Sequence, residues 1–168
     1  MIIIAIGISL SACLNDDEIS NTHVTGVYEG TLTTNVSNKS NTSSNSEFAT
    51  AVVSEIDDKI EVYCYNEYFE TTITLNIYEN GETMMTCFSG IEFENVYGHS
   101  LNEANMGGNM QNSNNQWVQH LSLEHKESDK HYGSFNMIDN SFEYTFLIEG
   151  MEYHFQGEKK YRPEEIGF

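Results

Sequence analysis

The sequence has few positive charges. It contains 7 lysines and arginines against 26 aspartates and glutamates, which gives a formal net charge of −19 at pH 7. A field of this sign repels phosphate backbones and anionic lipid headgroups. We therefore exclude nucleic acid as a partner and expect an acidic surface that is solvated or attracts cations.

Catalytic sequence motifs are also missing. The sequence contains no nucleophile elbow, phosphate-binding loop, dinucleotide fingerprint or zinc-protease helix. Its carboxylates are so numerous that no single pair of them indicates a glycosidase. We therefore expect a noncatalytic protein whose function is binding.

A short hydrophobic run opens the chain. Residues 1–10 are uncharged and apolar, and such a run is too short to span a bilayer of about 30 Å. The sequence Leu-Ser-Ala-Cys at residues 10–13 resembles the lipobox that signal peptidase II recognises in bacterial lipoproteins. The resemblance implies that residues 1–12 are a signal peptide and that Cys13 carries the lipid chains. A signal peptide followed by an incidental cysteine is the alternative.

An acidic cluster follows the lipobox within a tether over residues 13–22. Asp16, Asp17 and Glu18 resemble the surface-export signal of Bacteroidota lipoproteins, although a solvated acidic linker would have the same composition. Each buried lipid methylene contributes about 0.8 kcal/mol, so several chains anchor a protein without a transmembrane helix. We expect a protein anchored in the outer membrane through Cys13 that faces the cell surface, with the periplasmic face as the alternative.

The rest of the chain has the composition of a β protein. A single proline, frequent Thr, Tyr, Phe, Val and Ile, and closely spaced turn residues predict one β domain over residues 23–160, followed by a tail over residues 161–168. The early strands are expected at residues 24–36, 48–56, 60–65, 71–78 and 83–88, with a polar loop over residues 35–46. In the C-terminal third, two-residue turns at Asp139-Asn140 and Glu149-Gly150 would place an aromatic face on the strands between residues 131 and 155.

About eight antiparallel strands in sequential hairpins predict an all-β fold, either a closed barrel or a sandwich. A long loop or short helix is expected as an insertion around residues 95–130. The sequence Gly-Val-Tyr-Glu-Gly-Thr at residues 26–31 resembles the opening strand of lipocalin-like barrels. That resemblance implies a barrel that could enclose a small apolar ligand.

Two cysteines remain after lipidation, Cys64 and Cys87. An even pair in an oxidising compartment suggests a disulfide. In a meander with a turn at Asn80-Gly81, Cys64 would face Thr71 and Cys87 would face Thr74. The two cysteines would then lie about 9–10 Å apart laterally, whereas a disulfide needs Cα atoms within about 7 Å. A connection other than a meander would still allow the bond.

Metal ligands are concentrated between residues 99 and 131, where four of the six histidines lie. Thioether with imidazole suits copper, especially Cu(I), and imidazole with carboxylate suits Zn(II) or Cu(II). Residues 117–125 fit either a helix or a strand, and in both cases at most two ligands converge locally. Histidines that lie on the surface and bind no metal are the alternative. The candidate metal ligands are His99, Met106, Met110, His120, His125 and His131.

Overall fold

An antiparallel barrel of eight strands forms the body of the protein in a computed structural model that describes residues 23–38, 41–100 and 115–161. Each strand pairs with the next one along the chain, and the first closes the barrel against the last. The strands are β1 (Gly26–Asn38), β2 (Asn41–Ile56), β3 (Lys59–Tyr65), β4 (Glu70–Asn80), β5 (Thr83–Cys87), β6 (Gly133–Asn136), β7 (Ser141–Ile148) and β8 (Met151–Lys160). The predicted all-β fold is confirmed, and the closed barrel is consistent with a lipocalin-like architecture.

An insertion between β5 and β6 is present as expected, and its described residues form two helices where a long loop or a short helix was predicted. They are α1 (Gly90–Tyr97) and α2 (Gln116–Glu124). Gly98 caps the C-terminal end of α1, because it adopts a left-handed conformation with φ of 70° and its backbone N–H donates to the carbonyl of Glu94. Within the described part of the chain, no helix is long and apolar enough to cross a membrane.

The barrel interior is filled by side chains that alternate along each strand. On β3 the inward residues are Ile60, Val62 and Cys64, each fully buried, while their neighbours are partly exposed. The expected aromatic face of the C-terminal strands is present. Eight strands enclose a space just wide enough for side chains to fill. The largest fully buried rings of the core are Tyr28, Phe135, Phe142, Tyr144, Phe146 and Phe155.

The turn between β6 and β7 is longer than predicted. A two-residue turn would pair Phe135 with Tyr144, but the structure pairs Phe135 with Phe142. The side chain of Asp139 accepts hydrogen bonds from the backbone N–H and the hydroxyl of Ser141, which stabilises a four-residue turn. The register shifts by two residues, so the inward face keeps the same residues.

The turn between β4 and β5 is also displaced. Asn80 pairs with Thr83, so the turn begins at Gly81, whose φ of 68° suits glycine. Cys87 consequently faces Asn76 rather than the expected Thr74. The predicted face of each strand is again unchanged.

The disulfide considered for Cys64 and Cys87 does not form. Cys64 lies inside the barrel, whereas Cys87 lies on the outer face of β5 beneath the helices. Both cysteines are free. The strands form the meander in which, by the sequence argument, the two cysteines lie too far apart for a disulfide.

The prediction of a polar loop over residues 35–46 is wrong. Strands β1 and β2 continue through most of this stretch and pair as far as Asn38 and Asn41. Strand pairing satisfies backbone N–H and carbonyl groups whatever the side chains are. The predicted signal peptide over residues 1–12, tether over residues 13–22 and tail after Tyr161 lie outside the described residues, so these three segments stay predictions.

Candidate metal centre

Cys87 lies at the end of β5 on the outer face of the barrel. Alternation along this strand directs Met84 into the core and leaves Met85 and Cys87 on the opposite face. The insertion covers that face with Phe93 of α1 and Trp117 of α2. Cys87 is therefore buried, although it is not part of the barrel core.

Helix α2 supplies the first imidazole. The side chain of Asn115 accepts a hydrogen bond from the backbone N–H of Val118, which caps the helix and settles the helix-or-strand ambiguity of this segment. The helical register places His120 one turn before Glu124, as expected for a helix. His120 is buried and stacks on Tyr78 of β4, with ring centroids 3.9 Å apart.

The second imidazole comes from the residue at which α2 stops. A continuous helix would direct His125 away from His120, but α2 ends at Glu124. His125 has an extended backbone with φ of −108° and ψ of 153°. Its Nε2 atom lies 2.9 Å from Nε2 of His120 and 3.2 Å from Sγ of Cys87.

We call Cys87, His120 and His125 the Cys/His cluster. Their ligand atoms all lie within 4.8 Å of one another, and all three residues are buried. Around a tetrahedral zinc ion with bonds of about 2.0–2.3 Å, neighbouring ligand atoms would lie about 3.3–3.6 Å apart. The two distances from Nε2 of His125, 2.9 and 3.2 Å, are a few tenths of an ångström below these values. These three residues could hold a metal ion.

A carboxylate lies beside the outer nitrogen of each imidazole. Oε2 of Glu124 is 2.7 Å from Nδ1 of His120, and Oδ2 of Asp129 is 3.3 Å from Nδ1 of His125. Both contacts are within ion-pair distance, but neither has the direction of a well-formed hydrogen bond. Carboxylates in this position are typical partners of metal-binding histidines, because they leave Nε2 free for the ion.

His99 contacts the cluster through Asp129. Its Nε2 atom lies 2.7 Å from Oδ2 of Asp129, and its Nδ1 atom lies 3.1 Å from the carbonyl of Ser100. The same Asp129 oxygen accepts the backbone N–H of Lys126. Since both ring nitrogens have a contact, His99 supports the carboxylate behind His125 and is not one of the three converging ligands, although the concentration of histidines in this segment had made it a candidate.

The remaining predicted ligands divide into two groups. His131 lies next to the Cys/His cluster, with its ring centroid 4.8 Å from that of His125, and is more exposed than the other two imidazoles. Met106 and Met110 lie outside the described residues, so their expected thioether ligation stays a prediction.

Burial sets the protonation of the cluster. It lowers the pKa of His120 to about 3 and that of His125 to about 4, and the charges of neighbouring histidines add to the effect. Both imidazoles are therefore neutral at pH 7, which is the form that binds metals. Burial raises the pKa of the Cys87 thiol to about 12. Without an ion the thiol keeps its proton, and a bound ion would displace it.

Sequence reasoning missed Cys87 as a candidate ligand. The sequence Met-Met-Thr-Cys-Phe at residues 84–88 is apolar on both faces, so its alternation does not show that the cysteine points outward. Its position in the sequence could have identified it, because Cys87 immediately precedes the insertion that carries the histidines.

No protein-family model matches this sequence, and no curated protein or solved structure is significantly similar to it. The assignment of the Cys/His cluster therefore rests on the geometry of its own residues.

Proposed function

We propose that the protein binds a transition metal ion through Cys87, His120 and His125. The supporting observation is the convergence of three buried ligand atoms from two separate parts of the chain. Nε2 of His125 lies within hydrogen-bond distance of both Nε2 of His120 and Sγ of Cys87, at 2.9 and 3.2 Å, and an ion would replace these two contacts with bonds to all three atoms. The carboxylates behind both histidines add to this support.

Zinc and copper are the ions that suit this donor set. Zn(II) binds thiolate and imidazole ligands in tetrahedral sites, and one thiolate with two imidazoles is also found in trigonal copper sites with a weak axial thioether. Thioether ligation by Met106 or Met110 would favour copper. Comparing zinc with Cu(I) and Cu(II) in one titration series decides between them.

The metal would be held outside the cytoplasm. This part of the proposal rests on the lipobox-like sequence that ends at Cys13, from which we expect attachment to the outer membrane. Cys13→Ala should leave the protein unlipidated and released from membranes. Membrane attachment that persists in this variant would contradict the lipid anchor.

Metal binding is better supported than binding of a small apolar ligand. Among the described residues, large aromatic side chains occupy the barrel interior, where such a ligand would have to lie. The cluster is covered by two helices and backed by carboxylates, which suits holding an ion rather than turning over a substrate. The barrel would then act as a rigid support for the site.

The test is the metal content of a double variant. His120→Ala with His125→Ala removes two ligands, and the matched control, His23→Ala with His154→Ala, removes two histidines elsewhere. After zinc loading and dialysis, we expect about one zinc per chain in the wild type and the control and none in the test variant. Circular dichroism should show the same β-sheet signal in all three proteins. Equal zinc in the test variant would contradict the proposal.

A further inference from the structure

The Cys/His cluster supplies three ligands, and zinc sites that hold their ion without catalysis use four protein ligands. The group that occupies the fourth coordination position of the ion therefore decides whether the site is closed or open. A side chain there closes the site, whereas a water molecule there leaves it open to exogenous ligands.

Aromatic side chains surround the cluster on several sides. Tyr78 stacks on His120, the ring of Phe93 lies 5.0 Å from that of His125, and the hydroxyl of Tyr97 lies 3.8 Å from Sγ of Cys87. These rings offer packing, and the phenol of Tyr97 is a weak ligand compared with an imidazole.

His131 reaches the cluster because of strand pairing. Thr86 of β5 pairs with Gly133 of β6, so the residues just before β6 lie beside the end of β5 that carries Cys87. The ring of His131 is 4.8 Å from that of His125 and meets Trp117 edge to face at 4.7 Å.

The exposure of His131 allows it to move. His120 and His125 are only 4% and 7% exposed, so packing holds them in place, whereas His131 lies at the solvent side of the cluster. Ligation by His131 requires a rotation about its side-chain bonds that turns a ring nitrogen toward the three buried ligands.

We propose that His131 is the fourth ligand and closes a Cys/His3 site around the ion. This assignment rests on the proposed metal binding at Cys87, His120 and His125. It implies a tetrahedral site that His131 closes on the solvent side, so that no position remains for a metal-bound water.

Cobalt(II) in place of zinc tests the assignment, because its visible absorption reports coordination number. The full chain with Cys13→Ala is used, so that Cys13 contributes no thiolate. We expect a tetrahedral cobalt spectrum with a thiolate charge-transfer band that added imidazole does not change. In His131→Ala, cobalt affinity should fall more than about 100-fold, beyond the effect of an outer-shell partner, and imidazole should alter the spectrum and restore affinity. His154→Ala, which removes a histidine from β8, should behave like the wild type.

Two results would contradict the assignment of His131 as the fourth ligand while leaving the three-ligand metal site intact. One is a cobalt spectrum that imidazole changes equally in the wild type and in His131→Ala. The other is a His131→Ala variant with wild-type affinity and spectrum. Failure of the wild type to bind cobalt, zinc or copper would instead contradict the proposed function itself.

Discussion

The two buried cysteines lie in different surroundings. Burial raises the pKa of Cys64 and of Cys87 to about 12, and both are free. Cys64 packs among apolar side chains of the barrel core, whereas Cys87 lies 3.2 Å from an imidazole nitrogen of His125. Burial alone therefore does not make a site. Neighbouring nitrogen ligands distinguish the Cys/His cluster from the barrel interior.

The largest predicted effect is the loss of stability caused by a substitution in the barrel interior. Phe142 is fully buried and stacks on Phe135 at 4.3 Å. Phe142→Ala should lower the free energy of unfolding by about 3–5 kcal/mol, measured by urea denaturation of the metal-free protein. Phe142→Leu should lose less and stay folded. Metal affinity of the folded Leu variant should equal that of the wild type, and a lower affinity would contradict the independence of the two regions.

Replacing each cysteine separately tests the comparison directly. Cys87→Ala should weaken zinc binding more than about 100-fold, because it removes a ligand rather than an outer partner. Cys64→Ala, the matched control, should leave zinc affinity unchanged and only reduce stability by creating a small cavity. Competition with a zinc-binding dye measures both. Equal affinities of the two variants would remove Cys87 from the site.

Replacing the carboxylate behind His125 should have a smaller effect on zinc affinity than removing a ligand. Asp129→Asn keeps the size of the side chain but loses the negative charge beside Nδ1 of His125. Zinc affinity should fall about 10–100-fold, measured by the same competition. Glu143→Gln alters an exposed carboxylate on β7 and serves as the control. An unchanged affinity in Asp129→Asn would show that the carboxylate does not position the ligand.

The two buried histidines also predict a pH dependence of the stability of the metal-free protein. The pKa values of His120 and His125 are about 3 and about 4 in the folded state, below the usual value of about 6.5. Between about pH 6.5 and these folded values the unfolded chain binds more protons. Stability is therefore complete above this window and falls as the pH decreases through it, by at most about 1.4 kcal/mol per pH unit for each histidine.

Urea midpoints between pH 7.5 and pH 5 measure this dependence. The double variant His120→Ala with His125→Ala retains the neighbouring carboxylates, Glu124 and Asp129, but lacks the two imidazoles. Its stability should fall less steeply with acidification than that of the wild type. Identical slopes would contradict neutral, buried histidines.

The all-β fold is predictable from the sequence because the alternation along the strands is regular, whereas the choice between a barrel and a sandwich is not. Ile60, Val62 and Cys64 point inward just as the period of two predicts. Turn lengths were less predictable, since the extra turn residues before β7 depend on a side-chain hydrogen bond of Asp139. Such shifts move a register by two and leave the faces intact.

The candidate site was only partly predictable. Clustering of histidines in the sequence indicated the right segment, and the structure brings His99, His120, His125 and His131 together there. His125 contacts His120 because α2 ends one residue before it, and helix ends are poorly defined by sequence patterns. Cys87 joins the cluster through the packing of the insertion on β5, which no local pattern encodes.

Calorimetric titration of zinc and copper into the full chain carrying Cys13→Ala tests the central claim most directly. We predict saturable binding of one ion per chain with submicromolar affinity for zinc or copper, and release of the Cys87 proton on binding. Weak, nonsaturating binding of both metals would contradict the account and leave the Cys/His cluster without a bound ion.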